Sequence, residues 1–326
     1  MRRLALTAAA LGAILGPATP AFAHSGDTPD ATAYRTSVTA ISAPGVSVRT
    51  VEAGAQLELT NDTGHSVEVL GYSGEPYLDV RPDGTWQNVN SPAAYLNETL
   101  AGETAVPARA DPTAPPAWRK ISSSTTVRWH DQRTHWLSAD LPPQAVADPS
   151  RGHRLRDWVV PLRVQTSVFE IRGTLDWVPP PRAWLWWAGA ALAGAAAVLL
   201  ADRWPGSVRP VALVAGLTPL AYAVTRVLDG GVPPPVLILA GLVGLAAAYR
   251  HPPFFLALAG AVVGLFAGFN EARALGAAVG PAAGPGWISR VLVALAIGLG
   301  AGLALTGVLR MRAAVPGVSR AAAPVA

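Results

Sequence analysis

The chain has no cysteine among its 326 residues, and Lys120 is its only lysine. The absence of cysteine excludes disulfides, thiolate zinc sites, cysteine nucleophiles and the cysteine-ligated blue-copper centre. Charged residues are scarce at 14% of the chain, whereas soluble domains carry about 25%. Because 51% of the residues are hydrophobic, we expect a large part of the chain to lie in a membrane.

The few charges are distributed unevenly. Residues 1–23 have a net charge of +2, residues 24–181 of −5 and residues 182–326 of +7. A nucleic-acid-binding protein would concentrate positive charge on a folded polar surface. Here the large polar segment is acidic and the excess arginine flanks apolar stretches, so we expect no nucleic-acid partner.

The first 23 residues have the pattern of a secretory signal peptide. Two arginines precede an apolar run, Leu4–Leu15, and small residues lead to an A-x-A end at residues 21–23. This order is typical of a cleavable export signal. We therefore expect cleavage to leave His24 as the first residue of an exported chain.

Residues 183–309 contain five apolar runs, each near the 20 residues that a helix needs to cross the hydrocarbon of a bilayer. Pro233-Pro234-Pro235 shortens the third. Six of the ten arginines in residues 182–326 fall on the predicted cytoplasmic side, which follows the positive-inside tendency. We predict an all-α domain of five transmembrane helices in the lipid bilayer, with residues 310–326 as a cytoplasmic tail. The runs are Ala183–Ala201, Val208–Leu228, Val232–Tyr249, Pro253–Asn270 and Trp287–Leu309.

Small residues repeat every four positions in two of these helices, which predicts close helix packing, within the chain or with a membrane-protein partner. The stripes are Gly260, Gly264 and Gly268 in the fourth helix and Ala294, Gly298 and Gly302 in the fifth. Polar residues at the predicted outer helix ends are expected to be interfacial or to form an ion-paired cluster beneath the exported domain. They are Arg226, Asp229, Asn270, Glu271 and Arg273.

Residues 24–177 lack a long helical period and contain short segments with β-strand character. We predict an all-β exported domain, an Ig-like or cupredoxin-like sandwich, joined to the first span by a stiff Pro-rich linker at residues 178–182. Asn61-Asp62-Thr63-Gly64 predicts a hairpin between two of the strands. The predicted strands are Val46–Val51, Gln56–Thr60, Ser66–Gly71, Thr125–Trp129, Asp157–Val164 and Val168–Trp177.

A polar-aromatic run, Trp129–Trp136, holds the densest set of candidate metal ligands. His130 and His135 lie five residues apart with Asp131 between them. On a regular strand this odd spacing places the imidazoles on opposite faces, whereas a turn brings them to one centre. The alternative is that both histidines are structural hydrogen-bonding residues.

His24 suggests which metal such a centre binds. An N-terminal histidine offers its α-amine and its imidazole to one ion, and one downstream imidazole completes a set of three nitrogens. Nitrogen-rich tetragonal ligation suits Cu(II). We therefore predict a copper site of His24, His130 and His135, with Asp131 as an axial or second-layer carboxylate.

The order of signal peptide, mature His24, small β-domain and membrane region resembles the CopC and YcnI types of bacterial copper-binding proteins. The resemblance implies that His24 helps to bind Cu(II). The phrases at Gly71–Leu78 and Trp129–Trp136 resemble a group of multi-pass membrane proteins from high-GC Gram-positive bacteria, over most of the chain. That group implies no activity.

Catalytic motifs do not support an enzyme. The sequence has no G-x-S-x-G elbow, no H-E-x-x-H and no P-loop. We predict a non-enzymatic, membrane-anchored protein that binds copper in envelope metal handling. The alternative is an envelope scaffold whose β-domain binds another protein and whose glycine-striped helices pack against partner helices.

Overall fold

A computed structural model describes residues 31–314, so the predicted signal peptide and His24 lie outside the described residues. An antiparallel β-domain comes first and a region of apolar helices follows, which confirms the predicted order. Four helices among these described residues are long and apolar enough to cross a membrane, which indicates a membrane protein.

Within residues 31–314, ten strands form two antiparallel sheets. The larger sheet has seven strands in the order β1-β10-β9-β4-β5-β6-β7, and the smaller has three in the order β2-β3-β8. The strands are β1 Tyr34–Ile41, β2 Val46–Val51, β3 Gln56–Asn61, β4 Val67–Leu70, β5 Pro76–Arg81, β6 Gly84–Asn88, β7 Trp118–Ser122, β8 Thr126–Trp129, β9 His153–Val164 and β10 Ser167–Trp177.

Both sheets contribute to one hydrophobic core. Along β3 burial alternates, so that Leu57 and Leu59 are enclosed while the residues between them are half-buried. Val69 and Leu162 face the same core from the larger sheet. The alternation follows from the two-residue period of a strand with one face toward the core.

The hairpin predicted at Asn61-Asp62-Thr63-Gly64 is wrong. β3 pairs with β2 and β8, whereas β4 pairs with β5 and β9, so the chain changes sheets at this turn. The buried Asn61 amide donates to the carbonyls of His65 and Val80, at 2.7 and 2.6 Å. These bonds hold a corner between the sheets, which turn residues alone cannot distinguish from a hairpin.

The short helices α1 Ala93–Leu96 and α2 Pro143–Ala147 lie in the β-domain, and five apolar helices follow it within the range that the structure describes. The third predicted span is short, as its prolines indicated, because α5 has only 15 helical residues after Pro233 and Pro234. The apolar helices are α3 Ala183–Arg203, α4 Val208–Leu228, α5 Pro235–Tyr249, α6 Pro253–Val262, which continues through π-helical and 3-10 turns to Leu275, and α7 Gly286–Ala314.

The glycine stripes lie between helices of the same chain. A Cβ atom at Gly302 of α7 would stand 2.7 Å from the carbonyl oxygen of Gly194 on α3. A Cβ atom at Gly300 would stand 2.6 Å from the Cα atom of Gly264 on α6. These close approaches explain the stripes by packing within the chain. Large apolar side chains such as Leu192, 71% exposed, point outward, which is compatible with surrounding lipid.

Candidate functional site

The segment Trp129–Trp136 turns sharply where β8 ends. β8 directs Trp129 into the core, and a single 3-10 turn, Gln132–Thr134, follows. The Asp131 side chain caps this turn by accepting the backbone N–H of Arg133 at 3.1 Å. His130 and His135 therefore lie on a turn, which is the condition under which their odd spacing allows them to face one centre.

Asp131 is fully buried and its carboxylate is saturated with donors. Arg133 donates from Nε to Oδ1 at 2.8 Å and from Nη2 to Oδ2 at 2.7 Å. The indole Nε1 of Trp129 donates to Oδ2 at 3.1 Å. Because both oxygens accept at least two bonds each, Asp131 holds the turn in place rather than facing an open ligand position.

A backbone carbonyl orients the His130 ring and fixes which ring nitrogen carries a proton. Its Nδ1 lies 2.8 Å from the carbonyl oxygen of Ala55, which can only accept, so Nδ1 carries the proton. In the neutral ring Nε2 is then the acceptor, and it lies 3.3 Å from the side-chain nitrogen of Gln56. A carbonyl that fixes one ring nitrogen and leaves the other as an acceptor is the usual arrangement behind a metal-binding histidine.

The His135 ring lies beside the same carbonyl. Burial, and then the neighbouring His130, lower the pKa of His135 to about 4, and the nearby Asp131 carboxylate and Ala55 carbonyl partly offset the shift. The ring is therefore neutral at pH 7. Its Nε2 is buried and has no hydrogen-bond partner within the described residues. A buried polar atom without a partner is costly, which makes it a candidate ligand atom.

The start of the described chain runs past these histidines. The ring of Tyr34 stacks on Trp136 with 6.4 Å between centroids. The hydroxyl of Thr36 donates to the carbonyl of Thr134 at 2.6 Å. Strand β1 thus covers the far side of the turn. Between residues 31 and 314 there is no group of three or more His, Asp or Glu side chains that could hold a metal ion, and His24 lies outside this range.

A cleft of about 440 Å³ has His130 in its lining. Strands β3, β5, β6, β7 and β8, helix α1 and the loop after it form its walls. The sequence did not reveal this cleft, although one of its walls belongs to a polar-aromatic run around Tyr77–Asn97. Its polar lining includes Gln56, Gln87, Asn97, Arg109, Arg119, Arg128 and His130.

The β-domain contacts the helical region through a left-handed turn, residues 52–54. Glu52 and Ala53 have φ of 56° and 60°, and Gly54 of 85°. The N–H of Ala53 donates to the Asp229 carboxylate at 2.9 Å, and Arg128 donates to the Gly230 carbonyl at 2.5 Å. Burial raises the pKa of Asp229. The polar ends of the helices thus serve partly to hold the β-domain.

Part of the predicted ion-paired cluster is present beneath this contact. Arg226, 2% exposed, pairs with Glu271 at 3.3 Å, and the hydroxyl of Tyr222 donates to the same carboxylate oxygen at 3.3 Å. Asn270 and Arg273 line a small adjacent cavity of about 20 Å³. Asp229 faces the β-domain instead.

Comparison of the chain with family models, with curated proteins and with solved structures gives no match. Function must therefore be inferred from the geometry of the two neighbouring sites at His130: the pair of imidazoles beside Ala55 and the arginine-lined cleft.

Proposed function

We propose that the chain is a membrane-anchored extracytoplasmic protein that binds Cu(II) through His130 and His135 in envelope metal handling. The observation that carries the proposal is the position of both imidazoles beside the carbonyl of Ala55. The His135 ring is neutral, and the Ala55 carbonyl holds the proton of His130 on Nδ1. Neither Nε2 atom receives a strong hydrogen bond from a protein donor, which suits a metal ligand.

A third nitrogen donor comes from His24. Its α-amine has an unperturbed pKa of about 7.7–8.0, so the proton is readily lost to a metal. A set of one amine and several imidazoles is the nitrogen-rich ligation that Cu(II) prefers. Asp131 acts through the turn that it caps, because Arg133 and Trp129 already occupy its oxygens.

The position of β1 supports the participation of His24. Tyr34 contacts Trp136, the residue after His135. The ten residues from His24 to Tyr34 span at most about 35 Å when extended, so the amine is within reach of the pair. The chain would bind the ion and release it as Cu(II), and none of its residues would act as a catalytic group.

The proposal also includes a topology in which the chain crosses the membrane five times and the β-domain lies on the outer side. Asp229, after α4, and Val279, after α6, both contact the β-domain. Because α4 and α6 end on the same side, α5 has to return the chain to the other side. Its 15 residues rise about 22 Å, and the non-helical residues at its ends extend the crossing toward the roughly 30 Å of hydrocarbon. The core shared by the two sheets supports an Ig-like or cupredoxin-like sandwich.

The test is a Cu(II) titration of the full chain in detergent with its native N-terminus, the cleavage site being established first by mass spectrometry. We expect one Cu(II) per chain, and His130→Asn or His135→Asn should weaken binding at least about tenfold. An alanine added before His24 should do the same, because it removes the free amine from the chelate.

The matched control is His65→Asn, because His65 is an exposed histidine of the same domain. It should bind as the unaltered chain does. Equal weakening by His65→Asn, or tight binding that survives the double change at His130 and His135, would contradict the proposal.

A further inference from the structure

We propose that the cleft beside His130 is a binding site for a small organic anion, one that carries a phosphate or carboxylate on an apolar or aromatic group. The proposal is independent of copper. It rests on the charge of the lining, on a buried donor without a partner and on the mixture of aromatic and cationic surfaces.

The charge of the lining is opposite to that of the domain around it. Residues 24–181 have a net charge of −5, yet three arginines and one carboxylate, Glu98, line the cleft. Arg128 is already paired with Glu58 at 2.6 Å. Arg109 and Arg119 have no carboxylate partner among residues 31–314, and both are exposed. The cleft is therefore a cationic site on an acidic domain, and it favours an anion.

The two unpaired guanidinium groups use little of their hydrogen-bonding capacity. Arg109 donates to the hydroxyl of Tyr95 at 3.1 Å, and Arg119 donates to the side-chain oxygen of Gln87 at 2.9 Å. A guanidinium group presents a planar fork of donors that matches a phosphate or carboxylate. Neutral acceptors thus orient both guanidinium groups and leave their remaining N–H donors for a ligand.

The floor of the cleft offers another donor. Asn97 is 4% exposed, and its oxygen accepts the hydroxyl of Tyr72. Its Nδ2 is buried and has no hydrogen-bond partner in the described part of the chain. The nearby Asn97 amide offsets part of the rise that burial causes in the pKa of Tyr77, but the amide does not reach hydrogen-bond geometry with that hydroxyl. Buried amides are nearly always paired, so a ligand acceptor is the expected partner.

Apolar and aromatic surfaces complete the lining. Tyr95 lies beneath the Arg109 guanidinium, with 5.9 Å from Cζ to the ring centroid. Trp129 and Ile121 line the same cleft, and Ile121 is 44% exposed. Clefts of this volume that combine a few convergent polar groups with aromatic walls are typical small-molecule sites. The ligand therefore carries an apolar or aromatic group next to its charge.

The test is calorimetric titration of the full chain in detergent, with a chelator present to remove metal. Phenyl phosphate is the probe, benzylamine is the cation of the same ring, and inorganic phosphate is the anion without a ring. We expect phenyl phosphate to bind with a dissociation constant below about 1 mM, inorganic phosphate to bind several-fold more weakly and benzylamine not to bind.

The double change Arg109→Gln and Arg119→Gln should weaken phenyl phosphate binding about tenfold or more. The control is Arg35→Gln with Arg172→Gln, because these exposed arginines lie on β1 and β10, at the opposite edge of the larger sheet from β7. It should change binding less than about twofold. Failure of phenyl phosphate to bind, equal binding of benzylamine or unchanged binding in the cleft variant would overturn the proposal.

The same anion chemistry occurs in free metabolites and in lipid headgroups. Repeating the titration in nanodiscs of phosphatidylcholine, with and without phosphatidylglycerol, separates the two sources. Competition by phosphatidylglycerol assigns the site to a lipid headgroup, and unchanged binding assigns it to a soluble anion.

Discussion

The carboxylate of Asp229, just after helix α4, accepts the backbone N–H of Ala53 in the β-domain, with 2.9 Å between Oδ2 and N. Ala53 and Glu52 both have left-handed backbone conformations, which cost free energy in residues other than glycine. The structure keeps this strained turn where the β-domain meets the helices. The contact therefore fixes the orientation of the β-domain on the membrane region.

Removing the acceptor should loosen this contact. In Asp229→Ala the amide of Ala53 loses its partner, which costs about 1 kcal/mol, so its hydrogen exchange should accelerate about fivefold or more. Asp202→Ala is the control, because Asp202 is an exposed carboxylate at the end of α3. Hydrogen exchange with peptide-level readout checks the result, and equal exchange in both variants would show that the carboxylate does not hold the turn.

Stability should fall on acidification because of His135. Its pKa is about 4 in the folded chain, whereas an unfolded histidine titrates near 6.5, so the unfolded chain binds the proton first as the pH falls. The stability from this group is fully present above about pH 6.5 and is lost as the pH falls to about 4, in total of the order of 3 kcal/mol.

The measurement is the melting temperature of the metal-free chain in detergent between pH 7.5 and pH 5. In His135→Asn the temperature should depend less on pH than in the unaltered chain. His65→Asn should keep the full dependence, because its side chain is exposed in the folded chain. An identical pH dependence in all three chains would refute a neutral, buried His135.

Close packing of α6 and α7 should make Gly300 intolerant of a methyl group. A Cβ atom there meets the Gly264 backbone at 2.6 Å, so Gly300→Ala has to separate the helices and should cost about 1–3 kcal/mol. Gly189→Ala on α3 is the control, because no atom of residues 31–314 outside its own local helix lies within 4 Å of its Cβ position. Thermal unfolding in detergent compares them, and equal melting temperatures would contradict the packing.

Topology can be tested by single cysteines, since the chain has none. In intact cells a membrane-impermeant maleimide should label Ser150→Cys in the β-domain. It should label Gly206→Cys, between α3 and α4, and His251→Cys, between α5 and α6, only after lysis. Labelling of His251→Cys in intact cells would mean that α5 does not cross, and all three positions are exposed in the structure.

Apolar periodicity located part of the β-domain. β2 has the predicted bounds, and β3, β4, β8, β9 and β10 lie where alternation or β-branched residues indicated. β5 and β6 did not show the same signal because polar residues are buried there. Asp79, 4% exposed, pairs with Arg81 at 2.6 Å, and the Asn88 amide donates to the Pro76 carbonyl at 2.8 Å. Buried polar side chains with partners conceal a strand from a hydrophobic pattern.

The two candidate sites also differ in how far the sequence could predict them. The spacing of His130 and His135 predicted a shared centre on condition of a turn, and the Asp131-capped turn is present. The cleft depends on strands that the pattern concealed and on Arg109, which comes from a loop rich in Pro and Ala. Convergence of residues so far apart in sequence depends on strand pairing, which a single sequence does not encode locally.

The most direct test of the copper site is pulsed EPR of the Cu(II)-loaded full chain. A coordinated Nε2 leaves the Nδ1 of His130, bonded to Ala55, as a remote nitrogen that modulates the echo. We predict that remote nitrogens of more than one imidazole modulate the echo in the unaltered chain. The modulation should be weaker in both His130→Asn and His135→Asn. Echo modulation that is identical in the unaltered chain and in both variants would contradict copper binding by this pair.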